Sequence, residues 1–426
     1  MPAAADTIKA NVPRTILWAL ILALCPAAHA YSVLTHEAII DTAWDQSIKP
    51  RLLQKYPQTT PEELIEAHGY AYAGCIIQDM GYYPFGNRFF SDLVHYVRSG
   101  DFIVNLIHEA RDRNEFAFAL GALAHYAADT QGHGIAVNPA VALEYPKLAK
   151  KYGRKVTYGD DRPSHLKVEF SFDVLQVERG NYAPQSYHDF IGFQVSAAVL
   201  ERAFRDTYSL DLADVFHDLD LALGTYRHVV SSTIPQMTRV AWRLKRDELR
   251  KAGVGITRRQ FTYNLSKASY RKAWGKQYQK PGVGSWFLAL LIRILPKIGP
   301  LKPLAFKPPT TQTAKLFEDS FDTTVEEYRN LLAEVGDDRL ILPNRDFDTG
   351  QLTRPVEYRL ADDTYAKLAI LLAEKDASSV DARVRANVLE YYQDESLSFS
   401  TRRDPKAWTQ TTQALAKLMA QTAQTH

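Results

Sequence analysis

Apolar residues recur along most of the chain at intervals of three and four, the spacing that gathers them on one face of an α-helix. Residues 35–44 carry Ala38, Ile39, Ile40 and Ala43 in that pattern. Thr60-Pro61-Glu62-Glu63 reads as a helix start. Its Thr offers a capping oxygen, its Pro fits the first turn, and its acids sit at the positive end of the helix dipole. The periodicity continues over 102–110, 115–129, 187–208, 210–230 and 233–249, and returns over 313–334, 361–374, 380–392 and 405–422. Sustained period-two alternation is scarce, there is no strand–helix–strand rhythm, and no internal repeat stands out. The pattern predicts an all-α protein.

Two stretches depart from it. The first 30 residues read as a secretory signal: Lys9 and Arg14, then the apolar run Ile16-Leu17-Trp18-Ala19-Leu20-Ile21-Leu22-Ala23-Leu24-Cys25, then Ala28-His29-Ala30 as a cleavage site. That run is too short to span a bilayer, which takes about 20 residues. The second departure follows Pro235. Between residues 239 and 280 stand 13 Lys or Arg but only two acids, Asp247 and Glu248. Pro281-Gly282-Val283-Gly284 then breaks the chain before an apolar segment, 286–295, whose one charge is Arg293. The expected organisation is a signal peptide over 1–30, a catalytic domain over 31–235 and a helical accessory region over 236–426. Export would leave the mature chain secreted or periplasmic, beginning at Tyr31.

Composition sharpens this picture in two ways. Cleavage would remove two bases, Lys9 and Arg14, and one acid, Asp6, taking the formal net charge from +2 to +1. Such a balance does not by itself require a nucleic-acid partner. Cleavage would also remove Cys25 and leave Cys75 alone, so an exported chain would be held by its core or by metal rather than by an internal disulfide.

The chemistry points to metal. His125, Asp129 and His133 lie at i, i+4 and i+8, so on a helix they follow one face with about 40° of drift per step. Two imidazoles and a carboxylate are suitable zinc ligands. The small apolar residues around them (Gly121, Ala122, Ala124, Ala127, Ala128) predict that this helix is buried, where such a row needs charged partners or a cation. His165 and Glu169 form a second i, i+4 pair, and Asp79, His95 and His36 lie upstream. His68, His108 and His188 lack such a context. His217 and His228, with Asp214, Asp218 and Asp220 near the first, read as a solvated helix face, with a minor metal site as the alternative. There is no G-x-S-x-G nucleophile elbow, no phosphate-binding loop and no dinucleotide fingerprint.

In order and type these residues resemble the zinc-dependent phospholipase C family and its relatives, the single-strand-specific zinc nucleases, over residues 31 to about 173. The resemblance implies an all-helical domain with up to three zinc ions at the bottom of a cleft. It implies that the backbone amine and carbonyl of Tyr31, with His36, hold one zinc. Asp79, His95 and His125 would hold a second, Asp129 would bridge the two, and His133, His165 and Glu169 would hold the third. Asp79 falls where the family's candidate general base lies. This sequence departs from the family in starting with Tyr31 instead of Trp, and in having three residues between Asp129 and His133 where five are common. The implied reaction is hydrolysis of a phosphodiester by a metal-bound hydroxide, with a phospholipid as the expected substrate. A single-strand nuclease or other phosphoesterase, or a metal-binding protein without this activity, are the alternatives. The basic stretch suits anionic headgroups and nucleic-acid phosphates equally. The apolar segment with Trp286 and Phe287 at one end and Arg293 within it favours a peripheral membrane surface over nucleic acid, with a buried core helix as the alternative.

Overall fold

The computed structural model of the chain describes residues 32–179, 192–235, 305–337 and 339–424, with a few further positions between 237 and 248. The signal segment, Tyr31 and the segment with Trp286, Phe287 and Arg293 lie outside the described residues. Within them the protein is all-helical, and no strand is present beyond one isolated bridge, Arg345 to Leu352. No helix among the described residues is long and apolar enough to cross a membrane.

The helices that build the site are α1 (Val33–Ala43), α2 (Lys49–Lys55), α3 (Pro61–Gly74), α4 (Arg88–Tyr96), α5 (Ser99–His108), α6 (Arg113–Gly132), α7 (Asn138–Glu144), α8 (Pro146–Tyr152) and α9 (Arg162–Arg179). After them come α10 (Ala197–Tyr208), α11 (Leu212–Val215), α12 (Leu219–His228), α13 (Thr311–Gly336), α14 (Arg359–Glu374), α15 (Ala382–Tyr391) and α16 (Pro405–Gln424). The expected start of α3 is realised as a capping box. Thr60 Oγ1 accepts from the Glu63 backbone at 3.3 Å, and Glu63 Oε2 accepts from the Thr60 backbone at 2.8 Å.

Two expected helices come out shorter. The one over 187–208 starts, among described residues, only at Ala197, because Gln194 donates its backbone N–H to the Gly69 carbonyl instead of to a helical turn. The one over 210–230 is cut at Phe216, which is extended. Asp218 then caps α12 by accepting from the Leu221 backbone at 2.9 Å.

Helix α6 runs through the middle, and α3 and α13 flank it. Its small residues let the backbones approach closely: a Cβ at Gly121 would lie 2.2 Å from the Ala71 carbonyl oxygen. On the α13 side, Tyr328 donates to the Leu120 carbonyl at 2.9 Å, and Phe317 stacks on Phe172 of α9 at 4.7 Å. One apolar core runs from Val33 to Leu418, and α13 and α14 are part of it.

Candidate metal centre

Five elements bring the site together. Helix α6 supplies His125 and Asp129, and His133 follows at its C-terminal cap. The drift of about 40° per four residues turns His133 away from His125 and toward α9, which carries His165 and Glu169. The three-residue spacing after Asp129 thus still brings His133 to His165, with 3.3 Å between Nδ1 and Nε2 and the rings stacked at 4.9 Å. A single π-helical turn, His133–Val137, follows, and such turns recur at functional sites. Helix α1 brings His36, the 3-10 turn Ile77–Tyr82 brings Asp79, and α4 brings His95.

All eight of these side chains are buried. Their donor atoms fall into three groups, each with mutual separations within 4.8 Å: His36, His125 and Asp129; Asp79, His95 and His125; His133, His165 and Glu169. Asp129 lies between them. Its Oδ1 is 3.5 Å from His36 Nε2, and its Oδ2 is 3.6 Å from His95 Nε2, 3.2 Å from His125 Nε2 and 3.7 Å from His133 Nε2. His95 Nε2 is also 3.3 Å from Asp79 Oδ1. In the third group His165 Nδ1 is 2.7 Å from Glu169 Oε1.

These residues fit zinc. Ligands about 2.0–2.1 Å from one tetrahedral ion sit roughly 3.3 Å apart, which matches the separations around Asp129. Neither Asp129 oxygen accepts a well-directed hydrogen bond, and its contacts lie at or beyond the long limit of one. The rings are also oriented from behind. His125 Nδ1 lies 2.9 Å from the Cys75 carbonyl and His95 Nδ1 lies 2.8 Å from the Ser91 carbonyl, so each Nδ1 is the donor and each Nε2 is left as the ligand atom.

The electrostatics carry the same demand. Burial opposes ionisation of Asp129, but the histidines around it, His125 foremost, outweigh burial and hold the carboxyl well below the usual range. Burial also opposes charging of His95, yet Asp129 and Asp79 push its pKa up to about 10. Two carboxylates require positive charge beside them, which either a protonated His95 or a divalent cation provides. His36 and His165 are lowered to about 3 and about 4, chiefly by burial, so both are neutral and able to ligate. Burial raises Asp79 and takes Glu169 well above the usual carboxylate range.

Sequence reasoning missed one contributor. The irregular segment between α13 and α14 folds over the centre. Phe347 packs its ring on His95 at 5.1 Å and on His125 at 6.0 Å, and its backbone N–H donates to the His95 carbonyl. Asp348 Oδ1 lies 4.0 Å from His133 Nε2, while its Oδ2 accepts from Tyr96 at 3.0 Å and from Tyr358. Gly350 permits this approach: its φ is +72°, and a Cβ there would lie 2.2 Å from the Thr130 carbonyl oxygen. The sequence signal was Asp346-Phe347-Asp348-Thr349-Gly350, which lacks any His and lies more than 170 residues from the nearest expected ligand, Glu169.

Other polar groups fall outside the centre. His68 lies outside it, buried with its Nε2 3.0 Å from Asp41 Oδ1 and its ring stacked on Trp44 at 3.8 Å. His217 and His228 are exposed and belong to none of the three groups, as expected for a solvated face.

Comparison with curated proteins and with solved structures yields no match. A family model does match: residues 35–218, the segment that carries His36, Asp79, His95, His125, Asp129, His133, His165 and Glu169, are similar to the family described as zinc dependent phospholipase C.

Proposed function

We propose that the chain is a zinc-dependent phospholipase C, hydrolysing phospholipids at the bond between phosphate and diacylglycerol. The family match over residues 35–218 supports a zinc phosphodiesterase. The observation that carries the reading is the buried Asp129, whose two oxygens are shared among donor groups that each fit one ion. Bound zinc supplies charge that stabilises phosphoryl oxygens and lowers the pKa of water. The protein's own residues do the rest. His36, Asp79, His95, His125 and Asp129 would hold the first pair of sites, and His133, His165 and Glu169 would hold the third. The Cys75 and Ser91 carbonyls fix the ligating tautomers of His125 and His95. Asp79, raised by burial, accepts the proton of the attacking water. The water oxygen bonds to phosphorus, the bond to the diacylglycerol oxygen breaks, and the proton ends on that oxygen. The products are diacylglycerol and a phosphorylated headgroup.

Three further parts of the proposal rest on sequence alone: export with cleavage after Ala30, the Tyr31 amine as a ligand beside His36, and the segment with Trp286, Phe287 and Arg293 as a membrane-surface contact. The experiment is turnover by the zinc-loaded mature chain of short-chain phospholipids against a single-stranded DNA oligonucleotide, alongside flotation with vesicles. Diacylglycerol release supports the proposal. Cleavage of DNA without lipid turnover replaces it with the nuclease reading, and binding of zinc without turnover of any phosphodiester reduces it to a metal-binding protein. A variant retaining one residue before Tyr31 is expected to lose activity while staying folded, and full activity would remove Tyr31 from the ligand set.

A further inference from the structure

A cavity of about 520 Å³ shares a wall with the metal centre. Its volume lies within the range of small-molecule sites. Tyr82, Tyr83, Phe85, Arg88, Tyr158 and Arg162 are among the residues that line it. The wall is made by two tyrosines. The Tyr82 ring lies 6.0 Å from the His95 ring and the Tyr158 ring lies 5.7 Å from the His165 ring, so each touches a different group of candidate ligands. The two rings are 6.3 Å apart.

Both tyrosine faces are covered by cations of the protein itself. The Arg88 guanidinium lies 5.7 Å from the Tyr82 ring centre, and that of Arg162 lies 4.9 Å from the Tyr158 ring centre. Arg88 is held by a donated hydrogen bond to the Tyr158 hydroxyl at 3.3 Å and by the Asp92 carboxylate 3.9 Å away. Arg162 makes no ion pair or hydrogen bond among the described residues, and it lines the cavity with its guanidinium over the Tyr158 ring. Aromatic faces beside a phosphate site would suit the trimethylammonium of a choline headgroup if they were bare. Here a quaternary ammonium would meet two guanidiniums instead, and those forks match a phosphate or carboxylate.

We infer that this cavity is the headgroup subsite and that it selects phospholipids whose headgroup carries an anionic group of its own, such as a second phosphate, over choline lipids. Arg162 is the principal specificity-determining residue and Arg88 its partner. The inference rests on the phospholipase reading and names the substrate class within it.

The test compares dioctanoyl phosphatidylinositol 4-phosphate with dioctanoyl phosphatidylcholine below the concentration at which either aggregates, which removes attraction to a charged surface. A hydrogen bond to a charged group corresponds to roughly a tenfold to hundredfold effect. The zinc-loaded chain should therefore favour the inositol phosphate lipid by at least about tenfold in kcat/KM. That ratio should fall toward one in R162Q and decrease in R88Q, with zinc content unchanged. Equal kcat/KM for the two lipids, or a preference that survives in both variants, overturns the inference. If neither lipid is hydrolysed, the phospholipase reading fails separately. Calorimetry with inositol 1,4-bisphosphate and phosphocholine then decides the subsite. Tighter binding of the bisphosphate, lost in R162Q, sustains it, and equal binding overturns it.

Discussion

Replacing Asp129 with Asn tests the centre most directly. The substitution keeps the size of the side chain, which the fully buried site requires. It removes the charge and sets an amide N–H₂ against ring nitrogens that must stay unprotonated to hold a cation. Asp129 Oδ1 faces His36, and Oδ2 faces His95, His125 and His133, so one change touches every ligand group. Removing one partner of a buried charge pair costs about 3–5 kcal/mol. At 1.4 kcal/mol per factor of ten, that is roughly two to three and a half orders of magnitude in zinc affinity. The loss should be largest at the two sites that share Asp129, and smaller at the site of His133, His165 and Glu169, where Asp129 faces His133 alone. Elemental analysis gives the stoichiometry, competition with a chromophoric chelator gives the affinities, and far-ultraviolet circular dichroism checks the fold. A folded D129N that binds as much zinc as the unmodified chain, with affinities within about threefold (under 1 kcal/mol), would refute the bridging role.

Two further outcomes follow from packing and charge. G350A should destabilise the chain by more than the about 1–2 kcal/mol of a left-handed non-glycine residue, because the new Cβ meets the Thr130 carbonyl. It should also lift Phe347 from His95 and His125 and weaken zinc binding; a melting temperature and zinc affinity equal to those of the unmodified chain would show that the segment is not docked as described. Glu144 is pushed up from 4.5 to about 7 by burial, against the opposing hydrogen bond from Thr313 and the charge of Lys307. A raised folded pKa favours the protonated form, so its contribution is intact below pH 4.5 and is lost as pH rises through 7, a cost of about 3 kcal/mol. E144Q removes that loss. Its urea midpoint should exceed that of the unmodified chain at pH 8 and approach it at pH 5, and parallel pH profiles would falsify the assignment.

What the sequence determined by itself was local. Helical periodicity marked the helices, and Thr60 with Glu63 marked a helix start, because capping and amphipathicity are written within a few residues. The i, i+4, i+8 row on α6 and the pair on α9 were legible for the same reason: a helix converts spacing into direction. The sequence order of His36, Asp79 and His95 was legible only through resemblance to a family. Tertiary structure alone decided what converges. The backbone carbonyls of Cys75 and Ser91 choose the ligating nitrogens, a choice that the sequence does not encode locally. Phe347 and Asp348 reach the centre from a segment between α13 and α14, because α13 packs along α6 and the chain returns over α4 and α6, with Gly350 allowing contact at Thr130. Periodicity near residue 235 showed a change of composition, but whether the two sides share a core depends on contacts such as Tyr328 to Leu120. Such contacts join residues about 200 apart, and no short-range pattern records them.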